Sequence, residues 1–243
     1  MTDRTERLIF DSASELVSTA AARFAATVAT AQRERGLATV ALTGGSNGIA
    51  LLRALAVDSG AVDWSRIEIY WGDERFVPAD DPERNELQAR EALLDHVAVD
   101  PARVHAIPAS DGAFGDDIDA AMRDYRRLVC HDTVFDVHLL GMGGEGHVNS
   151  LFPHTDATAE DDLTVVAVTD SPKPPPRRIT LTFPVINASR EVWFLVSGAE
   201  KAEAVAAAAA AASRHDWPCA GAQGTERTVW FLDRSAAADL PLS

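Results

Sequence analysis

The chain has only two cysteines, Cys130 and Cys219, no apolar run of membrane-spanning length, and a marked shortage of basic residues. Each shortage excludes something. Cysteines this sparse, without metal-type spacing, build neither a disulfide framework nor a thiolate zinc site, so a reducing cytoplasm is expected. A spanning helix needs about 20 consecutive apolar residues, and none occurs. The start, Met1-Thr2-Asp3-Arg4-Thr5-Glu6-Arg7, lacks the apolar stretch of a signal peptide, and an unprocessed, soluble protein is expected. With 22 Lys plus Arg against 37 Asp plus Glu, the formal charge is −15. The mean field therefore repels nucleic acid and anionic membranes, and neither is expected as a partner. An anionic ligand has to meet a local cluster of basic residues. There is no internal repeat, and no linker is long or polar enough to divide the 243 residues, of which 47% are hydrophobic. One domain spanning 1–243 is expected.

What is present alternates between strand and helix patterns. Ser12 followed by Glu15 reads as a capping box, and apolar residues from Leu16 to Val28 recur at helical spacing, predicting an amphipathic helix over about 12–35. The apolar run Ala38 to Leu42 then meets Thr43-Gly44-Gly45-Ser46-Asn47-Gly48, with a helix beginning at Ile49. Ile67 to Trp71 reads as the next strand, ending in Gly72-Asp73-Glu74-Arg75, and Asn85 to Asp95 looks helical. Ile118 to Val129 is a further helix, and the strand Phe135 to Leu140 runs into the glycine-rich loop from Gly141 to His147. Later strands are expected at Leu163–Val168, Ile179–Thr182, Val192–Val196 and Thr228–Leu232. Lys201 to Ser213, with its alanine run, is a helix by propensity. The alternation predicts an α/β fold, a doubly wound, mainly parallel sheet with helices on both faces, whose ligands bind beyond the carboxyl ends of the strands.

Four segments carry chemistry. Gly44, Gly45 and Ser46 at a helix N-terminus offer backbone N–H groups and the positive end of a helix dipole, which suits a phosphate, although neither a Walker A motif nor a full dinucleotide fingerprint is present. Asp73, Glu74 and Arg75 stand at the end of a strand, where the alternative is a solvated, self-paired charge cluster. His147 follows the glycine turn, and imidazole is the side chain whose protonation changes near neutral pH, as a general base requires. The gap from His147 to His154 matches no zinc spacing, so no metal is expected; His138, in mid-strand, reads as a packed core residue. The segment Ser171-Pro172-Lys173-Pro174-Pro175-Pro176-Arg177-Arg178 fits a polyproline ligand but lies between two predicted strands. Its cations are better read as the local anion-binding cluster that the overall charge demands.

In combination these segments resemble the 6-phosphogluconolactonase family, within the glucosamine-6-phosphate isomerase/6-phosphogluconolactonase superfamily. The matching pieces are Thr43-Gly44-Gly45-Ser46, Trp71 to Pro78, Leu139 to His147, Ser150-Leu151-Phe152-Pro153, and Ser171 to Pro175 with Arg178 to Thr182; Ser197-Gly198 with Lys201 and the ending Trp230 to Asp233 are also similar. The resemblance implies a sugar-phosphate isomerase/deaminase-like, modified Rossmann fold. It implies hydrolysis of 6-phosphoglucono-δ-lactone to 6-phosphogluconate in the oxidative pentose phosphate pathway, without cofactor or metal; a cytoplasmic monomer or small homo-oligomer is expected. By motif position, His147 activates water, Asp73 and Arg75 share its site, and Gly44, Gly45, Ser46, Lys173 and Arg178 contact the phosphate. Asp73 is left to orient either His147 or the water.

The chain also departs from the family pattern. Ser-Thr-Pro is common after the two glycines, where Ser46-Asn47-Gly48 stands here. Asp-Gly-His is common at Glu145-Gly146-His147, Thr-Ala-Ser at Val148-Asn149-Ser150, and Ser-Asn at Arg84-Asn85. Two rival readings are an aldose-ketose isomerase or deaminase of the related fold, and a non-catalytic sugar-phosphate sensor. Deaminases continue past the histidine with an Ile-Gly-Phe-Asn-Glu type of sequence, unlike Val148-Asn149-Ser150-Leu151-Phe152-Pro153. The sensor reading lacks a helix-turn-helix segment and a basic extension.

Overall fold

The computed structural model describes residues 4–241. In chain order the elements are β1 (Thr5–Phe10), α1 (Ala13–Arg35), β2 (Ala38–Leu42), α2 (Gly45–Val57), β3 (Ile67–Trp71), β4 (Asp73–Arg75), α3 (Asn85–Ala92), α4 (Ile118–Leu128), β5 (Val137–Leu140), α5 (Asp156–Ala159), β6 (Val165–Val168), β7 (Arg178–Leu181), α6 (Phe183–Ile186), β8 (Glu191–Val196), α7 (Ala202–Ala209) and β9 (Arg227–Asp233). Six strands form one sheet in the order β1-β9-β8-β5-β2-β3, and every pairing in it is parallel.

Both faces of this sheet are covered, and the strands show it residue by residue. Trp193 and Leu195 of β8, Val137 and Leu139 of β5, and Val229 and Phe231 of β9 pack into one core with α1, α2, α3 and α4. Their neighbours Val192, Phe194, Val196, Leu140, Trp230 and Leu232 enter a second core with α6 and α7. Successive side chains of a strand point to opposite faces, so near-continuous apolar runs are what a sheet buried on both sides requires. The helix α1 starts as its sequence indicates: the Ser12 hydroxyl accepts from Glu15 N at 3.2 Å, and the Glu15 carboxylate accepts from Asp11 N at 3.1 Å. It stops at Gly36, whose φ of +81° suits a residue without a Cβ.

Four expectations need correction. The runs at 163–168 and 179–182 do not join the parallel sheet; β6 and β7 pair antiparallel with each other, and β4 pairs antiparallel with β7, in a separate sheet. An apolar run carries no information on which partner it finds. The strand β1, unanticipated, is a six-residue edge strand, Thr5-Glu6-Arg7-Leu8-Ile9-Phe10, whose first half is polar and none of whose residues is fully buried. The helix α2 begins at Gly45, four residues before the first apolar-periodic position, with Gly44 in the N-cap place; Asn47, inside its first turn, donates to Leu195 O at 3.2 Å and Ser197 Oγ at 2.9 Å. The alanine-rich helix ends at Ala209, short of Ser213, and Ala211 has φ +52°. Propensity yields there to tertiary contact: the chain turns so that Cys219 N can donate to Gly146 O at 2.8 Å.

Candidate functional site

In the parallel sheet, β2 leads outward to β3 while β5 leads the other way to β8 and β9, so the strand order reverses between β2 and β5. Loops leaving two such neighbours diverge and open a crevice at their carboxyl ends. Here the loops are Thr43-Gly44 and Gly141 to His147, joined where Gly141 N donates to Thr43 Oγ1 at 3.2 Å. Two glycines are required by close approach. A Cβ on Gly44 would lie 2.0 Å from Asn85 Oδ1, and one on Gly143 would lie 2.1 Å from His147 Nδ1.

The His147 ring lies against Phe152, with centroids 4.5 Å apart, and its Nδ1 is 2.8 Å from Glu145 Oε1. Glu145 also meets Lys173, whose Nζ is 2.8 Å from Oε1 and 2.9 Å from Oε2. The hydrogen bond from His147, followed by that from Lys173, holds the Glu145 carboxyl below the usual carboxylate range against partial burial, which raises it. An ionised carboxylate only accepts, so Nδ1 is the donor to it, and the neutral ring held this way has its lone pair on Nε2.

The departure from Asp to Glu at 145 therefore preserves an acceptor for His147. Asp73 does not orient the ring. Its Oδ2 accepts from Ser150 Oγ at 2.6 Å, its backbone carbonyl accepts from Asn85 Nδ2 at 2.9 Å, and Arg178 Nη1 stands 3.9 Å away.

The neighbouring Glu74 is fully buried and accepts three backbone N–H bonds, from Arg75 and Asn85 to Oε1 at 2.8 and 2.7 Å, and from Glu86 to Oε2 at 2.8 Å. Burial pushes its pKa up to about 7, opposed by Arg84 and by these N–H groups. It thereby anchors the first turn of α3, and Asn85 uses that anchorage: its Oδ1 accepts from Arg75 Nη1 at 3.0 Å while its Nδ2 holds Asp73. Arg75 Nη1 also donates to Glu83 O, and its Nε is buried with no partner among the described residues.

Arg178, 4% exposed, reaches this cluster from β7, where its register partner is Arg75. Its guanidinium donates to the carbonyls of Pro175 at 3.0 Å, Lys173 at 3.0 Å and Pro174 at 3.2 Å. The proline segment is thus neither a free polyproline ligand nor an open cation cluster. Arg178 clamps it, and Lys173 projects from it onto Glu145.

Asp73, Arg75, His147, Arg178, Gly44 and Gly45 line one cavity of about 140 Å³, together with Thr43, Asn85 and Asn149. An adjoining cavity of about 240 Å³ shares Gly44, Gly45, Gly141 and Met142 with it and adds Ser46, Ser197 and Lys201. Lys173 is absent from the wall of the first. Larger hollows exist, about 580 Å³ along the alanine face of α1 and about 290 Å³ among paired arginines and carboxylates, but neither has a glycine loop or a histidine in its wall. His138 is fully buried, and burial pushes its pKa down to about 3, as befits a neutral core residue.

Sequence reasoning placed no role on Glu145, Asn85, Ser150 or Lys201. Glu145 had a readable signal, a carboxylate two residues before a histidine on a glycine turn; the other three come from the start of α3 (Asn85), the segment after β5 (Ser150) and the segment after β8 (Lys201). Lys173 and Lys201, the only lysines in the chain, both stand at this site.

The sequence pattern of the family described as glucosamine-6-phosphate isomerases/6-phosphogluconolactonase matches residues 11–230. The chain is 53% identical over 240 residues to the 6-phosphogluconolactonase of Mycobacterium tuberculosis, covering 96% of this chain and 97% of that one. It is 48% identical over 254 residues to that of Streptomyces coelicolor, covering 100% and 97%. Among solved structures, the 6-phosphogluconolactonase of Thermotoga maritima superposes with a TM-score of 0.84 at 28% identity over 94% of this chain and 99% of that one. A monomeric glucosamine-6-phosphate deaminase shares the fold, with a TM-score of 0.79 at 24% identity over 96% and 99%.

Proposed function

The chain belongs to the glucosamine-6-phosphate isomerase/6-phosphogluconolactonase family, and from that membership we propose that it hydrolyses 6-phosphoglucono-δ-lactone to 6-phosphogluconate with His147 as general base. The observation that carries the mechanism is the His147–Glu145 bond beside the cavity at the β2/β5 crevice. Glu145 accepts from Nδ1, so Nε2 takes a proton from water, and the resulting hydroxide attacks the lactone carbonyl. The carbonyl oxygen becomes an oxyanion, for which the Arg75 guanidinium and the backbone N–H groups of the glycine loops are the available donors. When the tetrahedral intermediate collapses, the ring C–O bond breaks and the imidazolium returns its proton to the departing ring oxygen. Asp73, fixed by Ser150 and Asn85, is placed to hold a substrate hydroxyl or the water.

The phosphate hangs on C6, outside the lactone ring and several bonds from the reacting C1 carbonyl. With the carbonyl beside His147 in the 140 Å³ cavity, the adjoining one is the place for the phosphate, since the first turn of α2, Ser46, Ser197 and Lys201 line its wall. Among the described residues the ion-pair neighbour of Lys201 is Glu200, at 3.7 Å, a loose contact that a stronger anion can replace. Lys201→Ala is expected to lower kcat/KM for the phosphorylated lactone by about tenfold to a hundredfold, as loss of one charge-assisted contact does. Unphosphorylated gluconolactone should be almost unaffected; equal losses on both would move the phosphate elsewhere.

The reading itself is tested by proton release from freshly generated 6-phosphogluconolactone, after subtraction of the spontaneous rate, with glucosamine 6-phosphate as the control substrate. Accelerated proton release is expected. Ammonia release from the control without lactone hydrolysis overturns the assignment.

A further inference from the structure

We infer that Lys173 is a positioning residue whose ammonium offsets the charge of Glu145, so that Glu145 can aim the His147 ring without making it too basic to act as a base. The inference rests on the proposed lactonase mechanism.

A carboxylate on Nδ1 has two effects that pull apart. It fixes the tautomer and the ring plane, which a general base needs, and it stabilises the imidazolium, which keeps the base protonated. Lys173 resolves the conflict by geometry. Its Nζ shares Oε1 of Glu145 with His147 Nδ1 and also touches Oε2, and it lies 3.5 Å from Nδ1 itself. An imidazolium would therefore face a carboxylate and an ammonium together.

The placement of Lys173 is built into the fold. Its carbonyl accepts from Arg178 and from Ser171 Oγ, both at 3.0 Å.

The other charged groups around His147 are Asp73 and Arg75 from β4 and Arg178 from β7, all in the wall of its cavity. The N-terminus of α2 adds backbone N–H groups, with Lys201 beyond in the adjoining cavity. From the segment after α7, the Cys219 thiol beside Gly146 is pushed up to about 12 by burial and stays neutral, and behind Gly144 stands the backbone carbonyl of Glu200. None of these touches Glu145, so Lys173 is the cation that answers it.

The test is the pH dependence of kcat in Lys173→Met, Lys173→Arg and Glu145→Gln, on the acid side, where spontaneous lactone hydrolysis is slow. Removing the ammonium should move the acid limb upward by roughly half to one pH unit, a modest shift for partly exposed groups. Activity at the foot of that limb then falls about three- to tenfold, with the plateau changed little. Arginine at 173 should restore the limb, and Glu145→Gln should move it the other way while lowering the plateau. A merely structural role moves neither limb. The ratio of kcat/KM between phosphorylated and unphosphorylated gluconolactone should stay constant in Lys173→Met. An unmoved or lowered limb overturns the inference, and so does a loss confined to the phosphorylated lactone, which makes Lys173 a phosphate ligand. Lys173 is half exposed, so the methionine variant should fold; matching urea midpoints check this, and the arginine variant is the second control. If His147→Ala keeps full activity, the mechanism itself has failed; if His147 is essential and Lys173→Met keeps its acid limb, only this inference has.

Discussion

His147→Ala should lower the catalysed rate of lactone hydrolysis by about 10²–10⁴-fold, the usual worth of a positioned general base. The fold should survive. The ring is held by Phe152 and Glu145 at the edge of a loop, and the loop's own geometry comes from backbone contacts that alanine leaves in place, such as Gly143 N to His147 O at 3.1 Å and Gly146 N to Gly143 O at 3.0 Å. Some acceleration should remain, because the Arg75 and backbone donors still face the carbonyl. The measurement is kcat by proton release, with circular dichroism and a urea midpoint on the same preparation. A folded variant with near wild-type turnover would remove His147 from the mechanism.

Arg178→Ala should be the most damaging change to the architecture of the site. Its guanidinium, itself nearly out of solvent, satisfies three half-buried carbonyls of the proline segment and stands beside the buried Asp73. Breaking a buried charge pair by removing one partner costs about 3–5 kcal/mol. The 3.9 Å separation and the adjoining cavity, which admits water, argue for about 2–4 kcal/mol here. Lys173 would lose its anchor and Asp73 its neighbour at once, so activity should fall against phosphorylated and unphosphorylated gluconolactone alike. Arg178→Lys should recover only part of both, because an ammonium cannot reproduce a fork that reaches three carbonyls. The readouts are the denaturation midpoint and kcat/KM on the two lactones. Loss on the phosphorylated lactone alone, with stability intact, would restore Arg178 to the phosphate role that its sequence context suggested.

The contrast between Arg178 and His147 shows where sequence reading reaches and where it stops. His147 sits on a glycine turn directly after a central strand, and strand, turn and residue type together specify both place and chemistry. Arg178 also carries its charge in the sequence, but what that charge meets depends on β7 pairing with β4 instead of entering the main sheet. Lys173 is the same case: read along the chain it is a cation on a stiff segment, and only the folded segment lays it on Glu145.

By itself the sequence determined the alternating strands and helices, the two-faced core written in the near-continuous apolar runs of β5, β8 and β9, the glycine turns after β2 and β5, and the capped start of α1. These are local matters, decided by periodicity, by side-chain volume and by which residues tolerate a given backbone. The tertiary structure alone decided that β4, β6 and β7 form a sheet of their own, that the alanine run breaks at Ala209 so that Cys219 can reach Gly146, that Asn85 braces Arg75 against Asp73, and that the two lysines divide between Glu145 and the second cavity. Such contacts join residues far apart in the chain, and their free energy depends on which groups the fold brings within hydrogen-bonding distance, which no local pattern encodes.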